Sequence, residues 1–334
     1  MMSESLAPSS LSDAVFNSYD LLRSGCGRYE LHNSALFELK GEDKKAWVQG
    51  QVTNDLRGYV AGGSLSFCFC NPVGQIVSTG ELWILEDRFL IRVPKGAQAA
   101  VQKRFDQTII MEDVTVADLT TEYRLVSIQG PLATQELREF VDLPNLDAGI
   151  VTFKGLEVIC LRSNRTGLGG WDLLLPRTAS AEAEAIESHF EPIEEEAVNI
   201  ARLEFGHPRF GVDITEKTLP PELGAAFTAR NVSYKKGCYT GQEVLMRIYS
   251  RGHTNKTWMG FVSDRPIPLG ATVIHMGRNE VGTISSAADS PTFGYIAAGM
   301  VRNEAAFDGE LVHIQANGDK FDAEARHMPL WRQE

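Results

Sequence analysis

The sequence predicts an α+β fold carrying a C-terminal antiparallel β-barrel. Three observations lead there. Alternating strand patterns mix with amphipathic helical stretches through the first 256 residues. That texture starts afresh in a second unit near Tyr123. From about Thr257 onward, short strands follow one another with turn signals between them and almost no helix. A chain of 334 residues allows two or three domains at roughly 100–200 residues each. Its 43% hydrophobic and 23% charged content suits a chain that buries a sizeable core.

The elements read in order as follows. Residues 1–27 begin rich in Ser and are expected to form a flexible tail. Leu36-Phe37-Glu38-Leu39-Lys40 alternates as a strand, and Asp43 is positioned to cap a helix through Ala46, Trp47 and Val48. Residues 65–90 read as a meander, with Asn71-Pro72-Val73-Gly74 as a turn. Ala97, Val101 and Phe105 define one helical face. The second unit has a strand at Tyr123–Ile128, a helix from Gly130-Pro131 to Phe140, strands at Glu157–Leu161 and Trp171–Leu175, and a helix over 181–190. The terminal unit has strands at Ala271–Met276, Val281–Ser285, Ile296–Val301, Glu310–Gln315 and Lys320–Arg326. Gly277-Arg278-Asn279 and Asn317-Gly318 are turns within it. Expected boundaries are a tail at 1–27, the main α+β region at 28–256 and the barrel at 257–334.

The net charge of −12 argues against coating nucleic acid through phosphate neutralisation. Five cysteines, none in a C-x-x-C pair, argue against a disulfide framework and for a reducing compartment. The N-terminus lacks a signal-peptide pattern, and no apolar run reaches the ~18 residues that span a bilayer. A cytoplasmic protein without membrane contact is expected.

Two stretches have residue choices that packing does not readily explain. In Arg202-Leu203-Glu204-Phe205-Gly206-His207-Pro208-Arg209-Phe210-Gly211-Val212-Asp213, charges alternate with apolar residues while Gly and Pro turn the backbone. Glu204, Arg209 and Asp213 are either binding residues on a stiff loop or local partners at a helix end. In Lys235-Lys236-Gly237-Cys238-Tyr239-Thr240-Gly241-Gln242-Glu243, glycines bracket Cys238 near a helix start. Neighbouring lysines and a helix N-terminus favour a thiolate, while a small buried residue in a turn is the other reading. Other patterns fail. Gly237–Gly241 lacks P-loop spacing, and Arg165–Gly170 lacks the dinucleotide fingerprint. The histidines form no metal-binding spacing, and the Glu194-Glu195-Glu196 run reads as a solvated face. Cys68 and Cys70 share one strand face and read as core.

The Lys236-Gly237-Cys238-Tyr239-Thr240-Gly241-Gln242-Glu243 block resembles the signature of the folate-binding YgfZ-type family. These are relatives of the glycine-cleavage T-protein, an aminomethyltransferase. The resemblance continues in order through Trp47–Leu56, Asn71–Ile76, Arg202–Asp213, Pro221–Gly224 and Gly282–Ser286. It implies two interleaved T-protein-like α+β domains and a barrel, arranged as a three-domain ring around a central channel holding tetrahydrofolate or a related folate. It also implies Glu204 as the pterin anchor, because a carboxylate can accept two N–H donors from one heterocycle edge. Tyr239, Phe210 and Trp171 are then candidates to stack on the rings. Arg247, Arg230 or Arg251 would meet the anionic tail.

Where T-proteins carry an acidic pair after the Asn-x-x-Gly turn, this chain has Ser78 and Thr79. T-proteins also lack the cysteine of the Lys-Gly-Cys-Tyr block. Both departures favour an accessory role in iron–sulfur cluster assembly or repair over aminomethyl transfer. Cys238 would be the working thiol, held as thiolate by Lys236, with iron–sulfur enzymes as clients and a transient cluster as cargo. Effects on tRNA modification would then be indirect. An aminomethyltransferase and a folate-binding module without chemistry are the alternatives.

Overall fold

The computed structural model describes residues 11–143, 145–178, 181–276 and 280–331, so the expected turn at 277–279 lies outside the described residues. Regular structure starts within the expected tail. Helix α1 (Asp13–Ser24) is capped by Ser12, whose Oγ accepts the Val15 N–H at 3.3 Å. Val15, Tyr19 and Leu22 recur at helical spacing and are buried, which is why this segment is not a free tail.

Strand β1 (Gly27–Glu30) and strand β2 (Ser34–Lys40) are neighbours in sequence but join different sheets. With β2, the first unit contains α2 (Lys44–Gln51), β3 (Ser64–Cys70), β4 (Ile76–Ile84), β5 (Phe89–Pro94), α3 (Gln98–Thr108) and β6 (Thr115–Asp118). Its sheet order is β3-β4-β5-β2-β6. The second unit contains β7 (Tyr123–Gln129), α4 (Ala133–Phe140), β8 (Ala148–Phe153), β9 (Leu156–Arg162), β10 (Gly170–Pro176) and α5 (Ala181–Glu187). Its order is β1-β7-β10-β9-β8, with Gly27 opposite Gln129. The chain thus opens in the second unit, builds the first, and returns. That is the interleaving expected from the sequence.

Each sheet has one face under helices and one face against the other sheet. Phe37, Phe69 and Ile91 meet Trp47 of α2 and Phe105 of α3, with Phe37 and Phe105 edge-to-face at 5.2 Å. Ile128, Trp171 and Leu173 meet Leu137 of α4 and Ile186 of α5. Between the sheets, Leu36, Trp83 and Leu90 pack on Leu125, Leu161 and Leu174. Period-two alternation produces this division: in β5, Phe89 and Ile91 face helices while Leu90 faces the other sheet. The same rule sends Phe69 to the helical side and Cys68 and Cys70 to a separate buried cluster. Asp43 precedes α2 but makes no side-chain cap; its carboxylate accepts the Asp113 N–H at 2.9 Å instead.

Helices α6 (Glu195–Glu204), α7 (Ala225–Asn231) and α8 (Gln242–Arg251) connect these units to the barrel. Glu194, Glu195 and Glu196 are exposed at the start of α6, where carboxylates complement the helix dipole. Ala197, Ile200 and Ala201 of α6 pack on Tyr19 and Leu22 of α1. Strands β11 (Lys256–Ser263), β12 (Thr272–Ile274), β13 (Glu280–Ser290), β14 (Gly294–Arg302), β15 (Glu310–Ala316) and β16 (Asp319–Arg326) close into an antiparallel barrel in the order β11-β14-β13-β12-β15-β16. Asn317 and Gly318 both have positive φ, as a tight hairpin turn requires. Among the described residues, no helix is long and apolar enough to cross a membrane.

Candidate functional site

A cavity of about 1550 Å³ lies where the three units meet. Thr79, Glu81 and Arg92 come from the first sheet, Tyr29 and Arg165 from the second unit, and Trp331 from the segment after the barrel. The loop after α6 and Arg230 of α7 complete the wall.

The floor continues the sheet–sheet interface with polar residues in place of leucines. Glu81 and Arg92 are direct cross-strand partners, and Arg92 Nε donates to Glu81 Oε2 at 2.8 Å. Arg165 donates to the same Glu81 oxygen at 3.0 Å and also pairs with Asp172, which is fully buried. Ser127 Oγ donates to Asp172 at 2.8 Å, and Gln129 Oε1 accepts the Arg165 backbone N–H. Burial works against the charge on Glu81, but Arg165 and Arg92 outweigh it and hold the carboxyl well below the ordinary range. Burial also opposes the Arg165 charge, and Asp172 with Glu81 overcomes that too.

Beside this floor, His207 Nε2 lies 3.0 Å from Arg230 Nη1. Arginine can only donate, so Nε2 accepts and the proton sits on Nδ1. Burial first, and then Arg230, push the His207 pKa down to about 3. Arg230 therefore hydrogen-bonds a neutral ring, with Glu81 adding a favourable charge interaction. Arg23 Nη1 is buried and without a hydrogen-bond partner, and its guanidinium lies 4.1 Å over the Trp331 ring. With Lys95 and Arg209 also on the wall, the cavity offers cations in excess of its two acids, Glu81 and Asp308, among the described residues.

Of the residues singled out from sequence, Thr79, Arg209, Phe210 and Arg230 line this cavity. Glu204 is adjacent but fully buried at the end of α6, not on an irregular loop. Its carboxylate accepts from Tyr19 Oη at 2.9 Å, Ser290 Oγ at 2.5 Å and Trp331 Nε1 at 3.1 Å. Burial raises its pKa against the pull of those donors. Asp213 is a structural partner: it pairs with Arg202 at 3.0 Å and accepts from Ser285 and Ser286 of the barrel.

Trp171 is not a stacking residue. It is fully buried on β10, with Nε1 donating to Thr134 Oγ1 at 2.9 Å. Tyr239 also packs into core beside Cys68 and Cys70, away from the cavity wall. Arg247 is exposed on α8 and pairs with Glu243 at 3.4 Å; Arg251 is exposed as well. Of the three arginines expected to meet an anionic tail, Arg230 lines the cavity and Arg247 and Arg251 do not.

The Lys236–Glu243 block is held by its own geometry. Lys236 Nζ donates to the carbonyls of Gln49, Val52 and Asn54 at 2.6, 2.6 and 2.9 Å, and lies 4.9 Å from the Tyr239 ring centre. An ammonium has three N–H donors, so none remains for Cys238. Lys236 is a clamp rather than a thiolate partner, and burial lowers its pKa to about 8. Gly237 and Cys238 are exposed, Thr240 is half-buried, and Gln242 Nε2 approaches the Lys236 carbonyl at 3.5 Å. Gly241 has φ +86°, and a Cβ there would lie 2.5 Å from the Asn71 carbonyl oxygen. The block therefore docks directly on the turn between β3 and β4. Among the described residues, no three His, Cys, Asp or Glu side chains converge as a metal site.

The floor network escaped sequence reasoning although part of its signal was present. Alternation along β4 and β5 places Glu81 opposite Arg92. Arg165 sits in a glycine-rich stretch whose sequence carries no sign of its partners in the floor. Tyr19, Ser290 and Trp331 come from three remote segments, and no local pattern links them.

This architecture defines a two-part class: interleaved α+β units with a barrel, closing on one cationic cavity. Residues 4–232 match the GCVT N-terminal domain family, and residues 256–331 match the glycine cleavage T-protein C-terminal barrel domain. The chain belongs to the family of the GCVT N-terminal domain. It is 24% identical over 335 residues to an aminomethyltransferase of Thermotoga neapolitana, covering 96% of this chain and 90% of that one. It is 27% identical over 299 residues to an aminomethyltransferase of Chlorobium chlorochromatii, covering 83% and 79%. The glycine cleavage system aminomethyltransferase T from Bartonella henselae has the same fold, with TM-score 0.84, 22% identity, and coverage of 95% and 89%.

Proposed function

We propose that this protein binds a reduced folate in the cavity and serves as a cytoplasmic accessory factor for iron–sulfur cluster assembly or repair, with radical tRNA-modifying enzymes among its clients. One observation carries the choice against aminomethyl transfer. Where the T-protein pattern places an acidic pair, uncharged Thr79 lines the cavity and Ser78 is fully buried. Glu81, two residues further on, is tied to Arg92 and Arg165 and held ionised, so it is a poor proton acceptor.

The residues present fit a folate. Phe210 supplies aromatic surface, and Arg23 and Arg230 supply cationic side chains. A bound tetrahydrofolate would supply one-carbon chemistry. The protein's own residues bind and orient it in the cavity. Cys238 is the exposed thiol of the chain, available to a client protein or to a transient cluster whose other ligands the client provides.

The test has two arms. Calorimetry with 5-formyltetrahydrofolate should show binding, and an aminomethylated lipoyl carrier protein should give no turnover. In a strain lacking the gene, Cys238→Ala should fail to restore iron–sulfur enzyme activity while the purified variant keeps folate binding. Robust aminomethyl turnover, or full rescue by Cys238→Ala, rejects the accessory reading.

A further inference from the structure

Trp331 lies between the cavity and Glu204, and its surroundings are those of a bound heterocycle. Its indole N–H donates to Glu204 Oε2 at 3.1 Å. Its ring stacks on Phe205 at 6.0 Å and 14°, and Phe293 meets it edge-on at 5.2 Å. Arg23 lies over the ring at 4.1 Å. The backbone behind it is anchored too, since the Leu330 N–H donates to the Glu204 carbonyl at 2.8 Å. A buried carboxylate, a stacking surface and a guanidinium are what a flat ring with an N–H edge would require. The chain fills that place with its own side chain.

A second observation bears on movement. Trp331 also lines a smaller cavity of about 480 Å³, with Phe293, Asp308 and Arg326 on its wall. The indole is therefore a partition between two spaces, and a rotation about its own side-chain bonds has a volume to enter. Glu204 would keep Tyr19 and Ser290 as donors and gain an open acceptor position toward the large cavity.

We propose that Trp331 is a displaceable plug that mimics the heterocycle of the ligand and competes with it for Glu204. The identity of the ligand as a reduced folate rests on the functional reading above; the competition rests on the geometry of Trp331. Binding then breaks the indole–carboxylate hydrogen bond and replaces it with one from the heterocycle edge. Affinity is set below what the open site would give.

Trp331 is uniquely suited to report on itself. The other four tryptophans, Trp47, Trp83, Trp171 and Trp258, are all buried in cores. The full chain labelled with 5-fluorotryptophan would be titrated with 5-formyltetrahydrofolate and followed by fluorine NMR, the Trp331 resonance being assigned from Trp331→Phe. Calorimetry would be run in parallel on wild type, Trp331→Phe and Trp331→Ala. The phenylalanine variant keeps an aromatic ring at this position while removing the N–H donor and part of the ring's bulk, and the alanine variant removes the ring altogether. The expected result is a large shift of the Trp331 resonance on saturation, with Trp331→Phe binding about tenfold more tightly because no charge-assisted hydrogen bond must be broken. Equal or weaker binding by Trp331→Phe, or an unmoved Trp331 resonance in a saturated wild type, overturns the plug and leaves the folate reading intact. Absence of binding in all three proteins rejects the folate reading, and the proposal falls with it.

Discussion

Arg165 bridges two carboxylates beneath the cavity, half-buried Glu81, which it shares with Arg92, and fully buried Asp172. Removing one member of such a group leaves uncompensated buried charge, so Arg165→Ala should lose about 3–5 kcal/mol in urea unfolding. Arg92→Ala should cost less, since Glu81 keeps Arg165. The pH dependence follows from His207 and Glu81. His207 has its folded pKa lowered from 6.5 to about 3, so the unfolded chain takes up the proton first. Stability is then full above pH 6.5 and falls as pH drops toward 3, by at most about 1.4 kcal/mol per pH unit. Glu81 is also depressed, so its contribution is present above the ordinary carboxylate range and is lost below it. Urea midpoints at pH 7.5, 5.5, 4 and 2.5 should show both phases, and His207→Gln should flatten the upper one. Glu204 could be singled out from sequence because its segment matches a recognisable pattern. Its actual partners could not, because burial and donor geometry are set by chain segments some 85 to 185 residues away. The role expected for Lys236 failed for the same reason: the carbonyls that capture its ammonium belong to the end of α2 and the turn after it.

At the level of elements, the Cys238 loop depends on its docking against the β3–β4 turn. Gly241→Ala places a side chain at φ +86° and against the Asn71 carbonyl, so a loss of about 2 kcal/mol or more is expected. The loop should also detach, and alkylation of Cys238 should change rate more than alkylation after a surface substitution such as Arg251→Ala. Strand alternation was the most legible signal in this chain. It puts Cys68 and Cys70 on one buried face, and in the structure they share a core cluster while Phe69 packs on the other side. Helix α1 was missed although Ser12, Val15, Tyr19 and Leu22 carry both a cap and a helical period. The serine-rich opening has the composition of a tail, while the residues after Ser12 have the period of a helix. The exclusion of Trp171 and Tyr239 from the site shows the converse: an aromatic residue in a strand or a tight turn is more often claimed by a core than by a ligand.

For the whole molecule, the three units share a cavity whose walls none of them could build alone. A ligand that binds only this folded arrangement stabilises all of it. With 5-formyltetrahydrofolate at 100 times its dissociation constant, global stability should rise by about 2.7 kcal/mol, seen as a higher melting temperature with one cooperative transition. The division into α+β region and barrel was readable because strand spacing and helix content change near Thr257. The convergence of Arg23, Glu81, Arg165, Arg230 and Trp331 was not, since it depends on how sheets and barrel meet. The pairing of β1 with β7 also governs the order in which the protein can be made. As the chain leaves the ribosome, the sheet of the first unit is complete once Asp118 has emerged. Strand β1 must wait for Gln129, its register partner roughly 100 residues later, and until then remains an open edge. Translation across residues 31–129 therefore sets how long a nascent chain carries that strand before it pairs.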